Sequence, residues 1–274
     1  MPAVRRLQDA DRKMEAISHA VIIPDSFLSY PPSSFCIPSF YAKDVDSVII
    51  PEGLIRDRIK GLAREIFNVY ASSAAEPLVL VCVLKSAFKF FSALQLEIEH
   101  LNVESCGTSD FPQSLQINGE PKTNGSKNSH PDGQTRRSLP LFCEFIRVKS
   151  YVNTQSVTGS DVQVQGVLCP EEAFSQKNVL IVEDIIDSGR TMQALIQNLK
   201  QHNPKSLRVA SMLWKRVAHG GKSVPYPPDF FGFEIPDRFV IGFGMDYNEK
   251  FRDLNHLCII NEAGIQRYAV NPSK

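Results

Sequence analysis

Val179-Leu180-Ile181-Val182-Glu183-Asp184-Ile185-Ile186-Asp187-Ser188-Gly189-Arg190-Thr191 is the stretch on which the reading of this chain turns. Four apolar residues run into two adjacent carboxylates. A polar loop then opens onto Thr191 to Gln201, where Met192, Leu195, Ile196 and Leu199 recur at helical spacing. The pattern predicts a buried strand over Asn178 to Glu183, a short loop and an amphipathic helix. That junction has the chemistry of a phosphate monoester site. A helix N-terminus presents unpaired N–H groups at the positive end of its dipole, Gly189 permits a close backbone approach, and Ser188 and Thr191 add hydroxyl donors. Glu183 and Asp184 can accept hydrogen bonds from vicinal hydroxyls. The segment therefore suits a sugar 5-phosphate, with the diol on Glu183 and Asp184 and the phosphate on Asp187, Ser188, Gly189, Arg190 and Thr191. The competing structural role is a plain strand-to-helix junction capped by Asp187 or Ser188.

Similar units surround it. Upstream, Leu54, Ile55, Ile59, Leu62, Ala63, Ile66 and Phe67 recur at helical spacing after Pro51, and Leu78 to Leu84 is a short Val-rich apolar run. A second helix is expected over Phe88 to Leu101 and a strand over Leu141 to Lys149. Downstream, Leu207 to Trp214 and Phe239 to Phe243 read as further strands. Strands alternating with helices define an α/β class with a mainly parallel twisted sheet flanked by helices. In such sheets ligands bind beyond the carboxyl ends of the strands. Ser105 to Arg137 breaks the pattern: its only large apolar residues are Phe111, Leu115 and Ile117, too few to offset the entropy of ordering. It reads as a mobile surface insertion in one domain spanning 40–268, with 1–39 an N-terminal segment serving a hood or an interface and 269–274 a tail.

Composition removes several classes. Thirty Lys and Arg balance thirty Asp and Glu among 274 residues, so no long-range field attracts nucleic acid or an anionic membrane. The longest apolar run is too short to span a bilayer, and Met1 to Arg12 mixes both charges where a signal peptide needs an apolar stretch. The six cysteines and six histidines are scattered without zinc or redox spacing, as expected of reduced thiols in a cytoplasm. Gly220-Gly221-Lys222-Ser223 resembles part of a phosphate loop, but Arg216 stands where its first glycine belongs, which makes it an ordinary loop.

The strand, acidic pair and hydroxyl-rich loop together resemble the signature of the type I phosphoribosyltransferases. Val83-Leu84-Lys85 with Lys89-Phe90-Phe91, Phe145 to Tyr151, Lys215-Arg216, Gly232 to Asp237, and Asp246-Tyr247-Asn248-Glu249 through Arg252 to His256 follow that family's order, in the form found in the hypoxanthine-guanine phosphoribosyltransferases. The resemblance covers most of Phe40 to Tyr268 apart from the insertion. It implies a core parallel sheet with a small hood over a purine. It also implies a reaction that joins hypoxanthine or guanine to 5-phosphoribosyl diphosphate, giving IMP or GMP and pyrophosphate.

On that resemblance Asp187 is the general base that takes the proton from purine N7. Lys215, which offers donors and no acceptor, favours a 6-oxo group over the 6-amino group of adenine. Phe239 stacks on the purine, and backbone groups of Val240 and Asp246 meet its pyrimidine edge. Lys85, Ser86 and Arg252 hold pyrophosphate, the last with a planar fork suited to it. Ser150 and Tyr151 begin a polar stretch, Val152 to Ser160, that acts as a lid. The implied cofactor is magnesium, Mg2+, with Asp246 its ligand directly or through water and Glu183 and Asp184 indirect contributors. A homodimer or homotetramer is implied as well.

One departure bears on activity. Where the family has glycine after the lysine of its pyrophosphate loop, this chain has Ser86-Ala87. If that turn needs a positive φ, side chains there are costly. The alternative function that follows is a weakly active or inactive purine-nucleotide-binding protein on the same fold.

Overall fold

The computed structural model describes residues 20–72, 75–105, 137–150, 162–216 and 227–270. The tip of the insertion (106–136), the lid stretch from Tyr151 to Ser160 and the Gly220 to Ser223 loop lie outside the described residues.

The strands and helices follow in chain order. β1 is Val21–Ile22, β2 Val45–Ile50, α1 Glu52–Tyr70, β3 Leu78–Leu84 and α2 Phe88–Ser105. β4 is Leu141–Ser150, β5 Val162–Gln165, α3 Pro170–Phe174, β6 Asn178–Ile186 and α4 Arg190–Lys200. β7 is Ser206–Arg216, β8 Phe230–Pro236, β9 Val240–Ile241, β10 Leu257–Ile260 and α5 Glu262–Tyr268. Seven strands form one sheet in the order β1-β8-β7-β6-β3-β4-β5. All its neighbours pair in parallel except β4 with β5.

The physical reason lies in β3, Leu-Val-Leu-Val-Cys-Val-Leu, in which Leu78 to Val83 are all buried. A strand apolar on both faces must be covered on both. One side packs against α1 and α2 through Ile55, Ile59, Leu62, Ile66, Phe90 and Leu94. The other packs against α3 and α4 through Phe174, Met192, Leu195 and Leu199. Each such side chain contributes about 1.5–3 kcal/mol by leaving water. Leu54, which the helical spacing included in the buried face of α1, instead points outward and is 41% exposed.

A second, antiparallel sheet of three strands, β2-β10-β9, stands apart with its own apolar cluster of Tyr41, Val45, Val48, Ile241, Phe251, Leu254 and Cys258. The N-terminal segment serves both sheets. Val21 and Ile22 pair with Phe233 and Glu234, while Tyr30 bridges to Val48. The small sheet is also pinned to the large one: the backbone N–H of Glu52, at the start of α1, donates to Nδ1 of His256 at 2.9 Å. Burial holds the His256 imidazole below its ordinary range, which keeps Nδ1 an acceptor.

The strand expected over Phe239 to Phe243 is only Val240–Ile241, because Gly242, Phe243 and Gly244 adopt positive φ and turn the chain away. Among the described residues no helix is long and apolar enough to cross a membrane.

Candidate active site

The carboxyl ends of β3, β6, β7 and β8 all lie along one edge of the parallel sheet, and register alone juxtaposes their residues. Ile186 pairs with Trp214, so Asp187 follows at the level of Lys215. Lys215 in turn pairs with Ile235, two residues before Asp237. The result is a triad of charges: Lys215 Nζ lies 3.3 Å from Asp187 Oδ2 and 3.2 Å from Asp237 Oδ1. The lysine is only 11% exposed, whereas both aspartates are 56% exposed at its mouth. A buried ammonium without a counter-ion is costly, and here two carboxylates flank it.

β6 runs past the acidic pair to Ile186, three residues beyond the expected end. Glu183 is partly buried and Asp184 almost fully so. Burial, reinforced by the hydrogen bond with Asp184 and the repulsion of its charge, pushes the Glu183 carboxyl well above the usual carboxylate range. Glu183 Oε1 also accepts from the backbone N–H of Asp184 at 3.1 Å. The following junction differs from a simply capped helix. Neither Asp187 nor Ser188 caps α4. The capping position is Gly189, at φ 71°, and no side chain accepts from the first turn. Arg190 and Thr191, which begin that helix, are exposed. First-turn donors beside an exposed arginine and threonine suit an anion.

A second charged group forms around Asp246, beyond β9. Its Oδ1 meets Arg252 Nη2 at 2.8 Å, and its Oδ2 accepts from the backbone N–H of Glu249 at 2.7 Å. Glu249 reaches Lys85 Nζ at 3.1 Å and Arg252 at 3.5 Å. Lys85 thus arrives from the end of β3 and Arg252 from the hood side, and Glu249 joins them. The hydrogen bond from Lys85, with the Arg252 charge, holds the Glu249 carboxyl below its ordinary range.

The peptide bond between Leu84 and Lys85 is cis. Ser86 and Ala87 have no positive φ, and Ala87 is fully buried in the main core. The glycine that this region does require is Gly244, at φ 100°, where a Cβ would meet the Ser86 carbonyl at 2.2 Å. Side chains at 86 and 87 therefore carry no backbone penalty.

Phe239 is 53% exposed, unlike a core strand residue, and meets the Tyr247 ring edge-on at 5.7 Å. Val240 is buried and paired with Ile259. Ser150 ends β4, and Tyr151 lies outside the described residues. Two participants received no role from the sequence, Asp237 and Glu249. Both lie inside recognised segments, but only strand register and the turn after Asp246 reveal that they face cations.

A parallel sheet whose strand ends gather a phosphate-type loop, an acidic pair and a cationic cluster defines a phosphoribosyltransferase. The family model "Phosphoribosyl transferase domain" matches residues 52–248. Hypoxanthine-guanine phosphoribosyltransferases from Sus scrofa and Homo sapiens are each 44% identical over 255 residues, covering 93% of this chain and 99% of theirs. The crystal structure of the Schistosoma mansoni hypoxanthine-guanine phosphoribosyltransferase in complex with IMP superposes with a TM-score of 0.66. It has 34% identity, over 91% of this chain and 99% of that one. The chain belongs to the hypoxanthine-guanine phosphoribosyltransferase family, pentosyl transferases of purine salvage.

Proposed function

We propose that the protein joins hypoxanthine or guanine to 5-phosphoribosyl diphosphate, releasing pyrophosphate and giving IMP or GMP. The observation that carries this reading is Lys215, held between two carboxylates at the sheet edge, with the exposed Phe239 two residues after the second of them, Asp237. An ammonium has donors and no acceptor, so it pairs with a 6-oxo group and leaves a 6-amino group unsatisfied. Phe239 supplies a face for the purine, with backbone groups of Val240 and Asp246 at its pyrimidine edge.

In the reaction, purine N9 forms a bond to C1 of the ribose as the bond from C1 to pyrophosphate breaks. Asp187 takes the N7 proton in the forward direction and returns it in reverse. Its partly exposed carboxylate at the end of β6 is accessible to a purine, 3.3 Å from the ammonium of Lys215. The ribose diol rests on Glu183 and Asp184, and the 5-phosphate on Asp187 to Thr191. Lys85, Ser86 and Arg252 hold the departing pyrophosphate, and Ser150 and Tyr151 begin the lid that excludes water.

Magnesium fits this arrangement. Among the described residues no cluster of three or more ligating side chains forms a protein cage, but magnesium usually takes one or two carboxylates and completes its shell with phosphate oxygens and water. Asp246 would hold it directly or through water, with Glu183 and Asp184 as indirect contributors. When bound it would offset charge developing on pyrophosphate.

The binding-only alternative rested on Ser86-Ala87, and the negative φ values there remove its motive. The protein acts as a homodimer or homotetramer in the cytoplasm. Steady-state assays with hypoxanthine, guanine, xanthine and adenine, each with 5-phosphoribosyl diphosphate and magnesium, test the reading. Formation of IMP and GMP is expected, and equal specificity constants for adenine and hypoxanthine would overturn it.

A further inference from the structure

Asp187 and Asp237 make similar contacts with Lys215, yet only one of them can keep its charge throughout the reaction. When Asp187 accepts the purine proton its carboxyl becomes neutral, and its attraction for the ammonium is lost. That is the moment at which Lys215 must remain directed at the 6-oxo group, because removal of the proton leaves negative charge on the purine. Asp237 lies 3.2 Å from Nζ on the other side, at the end of a different strand, and has no part in proton transfer. Its position is set by β8, whose last residues Ile235 and Pro236 pair with Lys215 and Arg216. The backbone N–H of Arg238 donates to the Pro236 carbonyl at 2.8 Å, closing a tight turn around Asp237 itself.

We propose that Asp237 is a positioning and specificity-determining residue, which keeps the Lys215 ammonium aimed at a 6-oxopurine while Asp187 is neutralised. This inference rests on the roles given above to Lys215 and Asp187. Asp237 need not touch the purine. It restricts Lys215 to the conformation in which a 6-oxo group is matched and a 6-amino group is not. Without it, the lysine would follow the Asp187 charge in the free protein and lose its anchor on protonation.

The test measures binding of IMP and AMP by calorimetry, together with Michaelis constants, for the full-length protein and for Asp237→Ala, Asp237→Asn and Asp237→Glu. Asp237→Ala should weaken IMP binding and raise the Michaelis constant for hypoxanthine, each about tenfold. AMP binding and the Michaelis constant for 5-phosphoribosyl diphosphate should change less than about twofold. Asp237→Asn, which keeps an acceptor without the charge, should fall between, and Asp237→Glu should recover toward the parent. The substituted side chain is largely exposed, so melting temperatures should stay close, and if the alanine variant does not fold the asparagine variant carries the comparison.

Equal losses for IMP and AMP would reveal a merely structural residue and overturn the inference, as would unchanged IMP binding. If the unsubstituted protein binds IMP and AMP equally, the reading of Lys215 fails first and takes this inference with it. That outcome is distinguishable because it needs no substitution.

Discussion

Lys215 and Asp187 meet at 3.3 Å across the ends of neighbouring parallel strands. The group proposed to recognise the purine and the group proposed to take its proton therefore form one ion pair, and perturbing either alters the other. Asp187→Asn keeps the size of the side chain and removes its basicity, so turnover should fall roughly 10²- to 10⁴-fold while nucleotide binding persists. Lys215→Gln replaces a pure donor with an amide that both donates and accepts. The preference for hypoxanthine over adenine, read as a ratio of specificity constants, should shrink about tenfold or more. An unchanged ratio would remove Lys215 from recognition.

Glu183 gives the fold a pH dependence of definite sign. Its carboxyl titrates well above the ordinary range in the folded protein, through burial and then Asp184, and near 4.3 when unfolded. Between those values the folded chain holds a proton that the unfolded chain has released, so stability falls as pH rises through that window. Glu183→Gln removes the linkage. In denaturant titrations the variant should gain on the parent as pH rises above the ordinary carboxylate range, by about 1.4 kcal/mol for each unit of displacement. Parallel curves across that range would show that the carboxyl is not displaced.

Glu249 occupies the cations assigned to pyrophosphate, with Lys85 at 3.1 Å and Arg252 at 3.5 Å. An anion that takes those cations must displace an exposed carboxylate. Exposed pairs of this kind contribute little to stability, so Glu249→Gln should leave the melt nearly unchanged. Pyrophosphate affinity, measured by calorimetry with magnesium, should tighten about two- to fivefold. Weaker binding would mean that Glu249 instead helps to order the loop.

Ser86→Gly with Ala87→Gly would help pyrophosphate binding only if this loop strained its side chains, and it does not. Neither residue has positive φ, and the Ala87 methyl is buried in the core. Two glycines add freedom to the unfolded chain, so a loss of about 1 kcal/mol or more of stability is expected without a gain in affinity. A lower Michaelis constant for 5-phosphoribosyl diphosphate would restore the case for glycine.

The base of the insertion is closed by protein on both sides. Asn102 donates to the Leu139 carbonyl at 2.9 Å and accepts from its N–H at 2.8 Å, while Ser72 bridges to Ser138. Replacing 106–136 by a short flexible linker should therefore preserve a cooperative melt and leave the Michaelis constant for hypoxanthine within about twofold. Loss of cooperative melting would make the segment part of the fold.

The local features were legible because they depend on neighbours in sequence. Leu78 to Leu84 read as a doubly buried strand and the period of Met192, Leu195, Ile196 and Leu199 as a helix with one apolar face, both as the fold has them, and Glu183 to Thr191 suggested a sugar phosphate by residue type, with a plain capped junction as the competing role. Similarity of several long segments carried the reading on to purine transfer. The pairing of Asp237 with Lys215, and of Glu249 with Lys85 and Arg252, was hidden for the opposite reason. Asp237 and Lys215, like Glu249 and Lys85, come from different strands or loops, whereas Glu249 and Arg252 meet across a turn with positive φ, and neither strand register nor such a turn leaves a periodic trace in the sequence. The same holds for Ser86-Ala87. Residue identity raised the question of strain, but strain belongs to the backbone angle, and only the folded loop, with Gly244 absorbing the close approach, determines that angle.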